Sequence, residues 1–173
     1  MQQSITLEKA TGELEAVLRE LCEAHLRMSA LLADKLGALR RADHKAVAAS
    51  LGMENQQVQL IGELEKRRLT LAALLTQMIE PSAKAPWRLT ELAQHLAEPA
   101  RGRVLALRAQ MVTTMQKVQK ESAVTRRASE ELVRHMQGLM RSVTSSVSGA
   151  SVYGRSGQPP RAAMALSTFE TRA

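Results

Sequence analysis

The amino-acid sequence predicts an all-α protein, and three observations support this fold class. Helix-favouring residues (Ala, Leu, Met, Glu, Gln, Lys and Arg) dominate the composition. Only Trp87, Tyr153 and Phe169 are aromatic although 45% of the residues are hydrophobic, so the core has to be aliphatic. Two long stretches repeat apolar residues at alternating spacings of three and four, which is typical of helices that pack along their length. We therefore expect a coiled-coil-like bundle of an antiparallel helical hairpin, a short helix and a long C-terminal helix.

The first long helix is expected to begin near Ser4 or Thr6, whose hydroxyls can cap the first free amides, and to end near Arg41. Its apolar seam consists of Leu7, Leu14, Leu18, Leu21, His25, Met28, Leu32 and Leu39. The charged residues outside this seam predict a solvent-exposed face. They are Glu13, Glu15, Arg19, Glu20, Glu23 and Arg27.

The second helix is expected to run from His44 to Ile79, with Asp43 as its N-cap. Its apolar residues are Val47, Leu51, Val58, Ile61, Leu64, Leu71, Leu75 and Met78. The link to the first helix is short, and a short link between long amphipathic helices makes them antiparallel neighbours. Residues 4–79 are therefore predicted to form a helical hairpin.

Two prolines end this hairpin, because Pro81 and Pro86 cannot lie inside a helix. A short helix is expected from about Pro86 to Leu96, with Trp87 as an anchor onto the hairpin. Pro99 suits the first turn of a last long helix, which is expected to reach about Ser142.

The seam of the last helix is interrupted midway. Its apolar residues form two groups, first Val104, Met111, Met115 and Val118, and then Leu132, Met136, Leu139 and Val143. Ser122, Thr125 and Ser129 lie between the groups. The hairpin is expected to cover the first group, but no remaining element is long enough to cover the second. We therefore interpret the polar gap as a boundary between a scaffold and a binding surface.

The C-terminal segment differs in composition from the helices. Serines, glycines and paired prolines predict a flexible tail over residues 144–173, which follows a helical bundle domain of residues 1–143. Within the tail, Ala162 to Phe169 has the pattern of a short amphipathic segment, a common form of binding element.

The charge of the chain is unevenly distributed. Residues 1–100 hold 12 Lys/Arg and 13 Asp/Glu, whereas residues 101–173 hold 12 and 4, so the excess of +7 lies in the C-terminal part. Such asymmetry can indicate nucleic acid, an anionic surface or an acidic protein partner. The basic residues of the last helix are spread over several faces with no aromatic residue among them, so we expect no nucleic-acid partner.

Motifs for chemistry are not recognisable in this sequence. It contains neither a glycine-rich phosphate loop nor a nucleophile turn, so we expect no enzyme activity and no cofactor. Cys22 and His25 lie three residues apart, but no further ligands are evident nearby, which favours a packed seam pair over a metal site. The single cysteine, and the lack of a recognisable signal sequence or membrane span, favour a cytoplasmic location.

The order of these features resembles the FlgN family of flagellar type III export chaperones over roughly residues 5–157. The first segment that is similar to the family is Leu31–Leu39 of the first helix, followed by Asp43 at the start of the second helix. Another is Glu63–Leu69, a glutamate-rich stretch ending in arginine and leucine. The third is Tyr153-Gly154-x-x-Gly157, which is similar to a motif that often follows the last helix of the family.

This resemblance implies a cytoplasmic chaperone that binds hook-filament junction proteins and delivers them to the cytosolic domain of the flagellar export gate. The client-binding residues implied by position are Leu132, Met136, Leu139 and Val143. Tyr153 is the implied gate-docking residue. The chain departs from the family where the last helix often carries two asparagines three residues apart. The corresponding small polar stretch here consists of Ser122, Thr125 and either Ala128 or Ser129. The alternative is a structural coiled-coil protein that self-associates through the same seams, and the sequence leaves open whether the chaperone itself is a homodimer.

Overall fold

A computed structural model describes residues 2–150 of the chain, with the side chains of residues 6–146. The helices of this part are α1 (Gln2–Arg40), α2 (His44–Ile79), α3 (Leu89–Gln94) and α4 (Ala100–Ala150). No strand occurs in the described residues, and the predicted all-α fold is confirmed. The described residues divide into two compact units, with the boundary between Ser129 and Glu130.

The helical hairpin of α1 and α2 forms as predicted. The carboxylate of Asp43 accepts a hydrogen bond of 3.0 Å from the backbone N–H three residues later, so it caps α2. Between the helices, Arg67 pairs with Glu20 at 3.6 Å and Lys35 pairs with Glu54 at 2.9 Å. The residue numbers of these pairs run in opposite directions, so α1 and α2 are antiparallel.

The core of the first unit is aliphatic and centred on α1. Leu14, Leu18 and Leu21 have no exposed surface. The other buried members are Ala10, Val17, Cys22 and Ala24 from α1, Leu64 and Leu75 from α2, Leu89, Leu92, Ala93 and Leu96 from α3 and its end, and Val104 and Met111 from α4. Burial of a leucine side chain contributes about 1.5–3 kcal/mol, so these contacts account for the packing of the helices despite the scarcity of aromatics.

The connector between α2 and α4 is held on the hairpin by a buried hydroxyl. The side chain of Thr76 donates to the carbonyl of Ala72 at 2.7 Å and accepts from the backbone N–H of Trp87 at 3.0 Å. The Trp87 ring packs against the core and stacks on His95, with ring centroids 4.3 Å apart. Trp87 therefore anchors the connector, as expected, although α3 is shorter than predicted.

Within the first unit, α4 packs along α1. Nε of Arg103 donates to both carboxylate oxygens of Glu15, at 3.0 and 2.9 Å. Further along, the hydroxyl of Thr125 lies 3.5 Å from the carbonyl oxygen of Leu32. The residue numbers of both pairs increase together, so this part of α4 runs parallel to α1. Helix α1 therefore contacts both other long helices.

Three residues of the predicted α2 seam are exposed and lie outside the core. Leu51 is 49% exposed, Val58 is 58% exposed and Met78 is 36% exposed. The adjoining polar residues face the core side instead, since Ser50 is buried and the Gln57 amide donates to the carbonyl of Ala24 at 2.9 Å. Apolar residues occupy a wide arc of α2, and spacing alone does not identify which part of that arc is covered.

Helix α4 reaches Ala150, beyond its expected end near Ser142. The hydroxyls of Ser142, Thr144 and Ser146 each donate to the carbonyl four residues earlier, at 3.1, 2.9 and 2.8 Å. Serine and threonine can thus satisfy their own hydroxyls on a helix surface, which explains why this composition does not end the helix. The division at residue 144 remains a prediction, and the remainder of the predicted tail, including Tyr153, lies outside the described residues.

Candidate partner-binding face

The described part of the second unit presents an apolar stripe on α4. Met136 is 45% exposed, Leu139 is 54% exposed and Val143 is 63% exposed, and Leu132 is partly exposed. These are the four residues that the family resemblance implies for client binding. Their spacings of four, three and four place them on one side of a helix. The result is a continuous exposed apolar surface, which on a protein commonly marks an interaction site.

Two further residues widen this stripe. Val133 is 53% exposed and Met140 is 70% exposed. At a rotation of 100° per residue, they extend the stripe to an arc of about 120° that contains all six apolar side chains from 130 to 146. The seam of alternating spacings includes neither residue. A helical projection of the same residues identifies them.

All Asp, Glu, Lys and Arg residues between 130 and 146 lie outside this arc. They are Glu130, Glu131, Arg134 and Arg141, and each is exposed. None of them forms an ion pair with another residue of this described segment. We define the partner-binding face as Leu132, Val133, Met136, Leu139, Met140 and Val143.

The corresponding line of α4 in the first unit is covered, except at Val118, which is partly exposed. Val104, Met111 and Thr125, which follow one another in multiples of seven residues, are 0%, 8% and 3% exposed. The hydroxyl of Thr125 donates to the carbonyl of Glu121 at 2.9 Å, so this polar side chain is compatible with burial. The polar gap is therefore packed at Thr125, and the boundary between the two units follows Ser129. Met115, by contrast, is 43% exposed and lies outside the core.

The assignment of Glu15 to the solvent-exposed face of α1 is wrong. Only 5% of its side chain is exposed, and it pairs with Arg103 at 2.9 Å and with Arg19 at 3.1 Å. The hydrogen bond to Glu15 raises the pKa of Arg103 above its ordinary value. Because Arg103 is 88 residues away, no pattern within α1 distinguishes Glu15 from its exposed neighbours.

Cys22 and His25 are buried in the α1 seam, as expected. Burial, with a smaller effect of Glu23, raises the pKa of the Cys22 thiol. Burial lowers the pKa of His25, and the charge of Glu65 opposes this shift. Both ring nitrogens of His25 lack a hydrogen-bond partner. Across the described residues, no three His, Cys, Asp or Glu side chains are grouped so that they could hold a metal ion.

None of the helices in the described part is long and apolar enough to cross a membrane.

Comparison with known proteins identifies the family of this chain. No curated protein and no solved structure matches the chain. The family model of the FlgN protein, however, matches residues 3–161, which is most of the sequence. This family consists of flagellar export chaperones and is not an enzyme family. The chain therefore belongs to the FlgN family of flagellar export chaperones.

Proposed function

We propose that this protein is a cytoplasmic chaperone that binds hook-filament junction proteins and delivers them to the cytosolic domain of the flagellar type III export gate. Membership of the FlgN family supports the chaperone class. The observation that carries the client-binding part is the exposure of Leu132, Met136, Leu139 and Val143, in contrast to Val104 and Met111, which are buried on α4 in the first unit. The proposed role is binding and delivery, without catalysis.

An amphipathic helix of the client is a suitable cover for this face. Full burial of a Leu, Val or Met side chain contributes about 1.5–3 kcal/mol, and the exposed fraction of each residue on the face is available for this gain. Helix-in-groove recognition of this kind uses apolar residues at the same alternating spacing on both partners. Met136 has a flexible side chain that adapts to partners of imperfect shape.

Client binding can be tested with the double variant Leu132→Gln and Leu139→Gln in the full chain. Glutamine is a good helix former, so circular dichroism should show an unchanged helix content. We expect the variant to lose co-purification with hook-filament junction proteins, because two leucine contacts of the seam are removed. The matched control is Arg134→Gln with Arg141→Gln, which alters the opposite side of the helix and should retain the client. Capture by the leucine double variant at the wild-type level would refute the assignment of this face.

Gate docking is proposed for Tyr153, on the basis of its place in the Tyr153-Gly154-x-x-Gly157 motif. The variant Tyr153→Ala should bind client normally, while its binding to the export gate and the motility of cells that carry it should decrease. Loss of both activities, or of neither, would contradict this separate role.

Self-association is the second candidate function, and exposed residues on α2 favour it. Leu51, Val58 and Leu69 are 49%, 58% and 55% exposed. A structural coiled-coil protein would cover such residues with a second copy of itself. Size-exclusion chromatography with light scattering distinguishes the two functions. A stable oligomer that does not change when a junction protein is added would favour self-association, and a complex with the client would favour the chaperone.

A further inference from the structure

We infer that the partner-binding face selects client helices whose apolar stripe has uncharged edges, and that it rejects acidic and basic edges alike. This inference rests on the proposed function, because it specifies the kind of helix that the same face accepts. It follows from the placement of charged residues around the face.

Heptad positions describe this placement. In the usual a to g notation, Leu132 and Leu139 occupy d positions, and Met136 and Val143 occupy a positions. The e and g positions border such a seam and commonly carry Glu or Lys, whose charges determine the choice of partner. Here the e positions are Val133 and Met140, and the g positions are His135 and Ser142.

The charged residues of this segment occupy only the outer positions. Glu130 is at b, Glu131 is at c, and Arg134 and Arg141 are at f. None of these positions borders the seam. A client helix seated on the face therefore meets no Asp, Glu, Lys or Arg of residues 130–146 along either edge.

The hairpin of the same chain uses the opposite arrangement. Between α1 and α2, Lys35 and Glu54 form an ion pair of 2.9 Å, with 12% and 16% of their side chains exposed. Charge pairing thus contributes where the chain recognises its own second helix. The partner-binding face, whose proposed partner is a different protein, has no charged residue at the positions that border its seam.

This arrangement makes charged edges costly for a client. A client side chain that packs against Val133 or Met140 is removed from water, and both residues are apolar and more than half exposed before binding. A carboxylate or an ammonium group placed there loses hydration and gains no opposite charge. Neutral side chains carry a smaller cost, and the two methionines accommodate stripes of different shape. The face therefore suits several client helices that share neutral edges.

The inference can be tested with two pairs of synthetic helical peptides of about 21 residues, three heptads each. Both peptides of a pair have the same composition, with leucine at a and d. One carries its charges at e and g and the other carries them at b, c and f. The charges are glutamates in the first pair and lysines in the second. Because net charge is equal within a pair, attraction to the basic C-terminal part affects both isomers similarly.

We expect the full chain to bind the outer-charge isomer at least about tenfold more tightly than the edge-charge isomer in both pairs, a difference of about 1.4 kcal/mol, as measured by fluorescence anisotropy. Equal binding of the isomers, discrimination in only one pair, or no binding of any peptide would overturn the inference.

Matched variants locate the effect. The double variant Val133→Ser with Met140→Ser should reduce the difference in affinity between the isomers to less than about threefold. A serine hydroxyl can form hydrogen bonds with water and with a charged group of the peptide. The control Val124→Ser alters a residue that is 51% exposed on α4 of the first unit and should leave the discrimination unchanged. Capture of a hook-filament junction protein, measured in parallel, tests the proposed function separately. Capture together with equal binding of the isomers overturns this inference alone.

Discussion

The two units of this chain carry similar amphipathic patterns but cover them differently. In the first unit, seam residues such as Leu14, Leu18 and Leu21 have no exposed surface. In the second unit, Leu139 and Val143 are 54% and 63% exposed. All ion pairs found among the described residues lie in the first unit, between or within its helices. The comparison shows that an apolar stripe indicates which side of a helix needs a partner, but not whether the same chain provides it.

The largest expected effect separates a covered leucine from an exposed one. Leu21→Ala should reduce the free energy of unfolding by about 2–5 kcal/mol, because it leaves a cavity in the core. Leu139→Ala should change it by no more than about 0.5 kcal/mol, because this side chain is 54% exposed. Urea unfolding followed by circular dichroism measures both. Equal losses would mean that residue 139 is covered by the chain itself, and the contrast between the units would fail.

A smaller effect is expected at the contact of α4 with α1. Arg103→Met removes the Nε donor that is shared between both carboxylate oxygens of Glu15, whose carboxylate is then buried beside Arg19 alone. The urea midpoint should fall, but by less than in Leu21→Ala. The control Arg27→Met breaks the ion pair with Glu23, in which the Arg27 side chain is 61% exposed and the Glu23 side chain is 68% exposed. This variant should leave the urea midpoint unchanged within error. Equal midpoints of the two variants would show that the Glu15 contact does not hold α4 in place.

The smallest effect is a pH dependence confined to the covered seam. Burial lowers the pKa of His25 below its ordinary value of 6.5, so the unfolded chain binds a proton there more readily than the folded chain. The free energy of unfolding should therefore decrease as the pH falls through 6.5. Well above pH 6.5, the protonation of His25 should not affect it. Unfolding measured from about pH 7.5 to 5.5 should show a shallower decline in His25→Leu. His135→Leu, at an exposed position of the second unit, should retain the wild-type slope, and the reverse result would contradict the assignment.

Local sequence signals were sufficient for the helical hairpin. The predicted and observed limits of α2 coincide at His44 and Ile79, because Asp43 caps one end and Pro81 prevents continuation at the other. The aliphatic core around α1 was equally predictable, since a single seam of leucines faces both neighbouring helices.

Contacts between distant parts of the sequence were not predictable in the same way. Glu15 has the same local pattern as exposed glutamates of α1, and only the position of Arg103 distinguishes it. The exposure of Leu51 and Val58 depends on which part of a wide apolar arc meets α1. For the partner-binding face, the alternating seam contains four of the six residues, and a helical projection of the sequence adds Val133 and Met140. The roles of these residues and of Tyr153 remain predictions.

The order in which contacts become available during synthesis follows from the central position of α1. Its hydrogen bonds to α2 join residues 19 and 33 positions apart, whereas those to α4 join residues 85 to 93 positions apart. At about 5–20 residues per second, the ribosome needs roughly 3–10 s to extend the chain from the end of α2 to residue 129. The hairpin can therefore close while the chain is still growing, and α4 joins a surface that is already formed. The partner-binding face follows α1, α2 and the first-unit part of α4 in the chain, so it is synthesised after the residues of the scaffold.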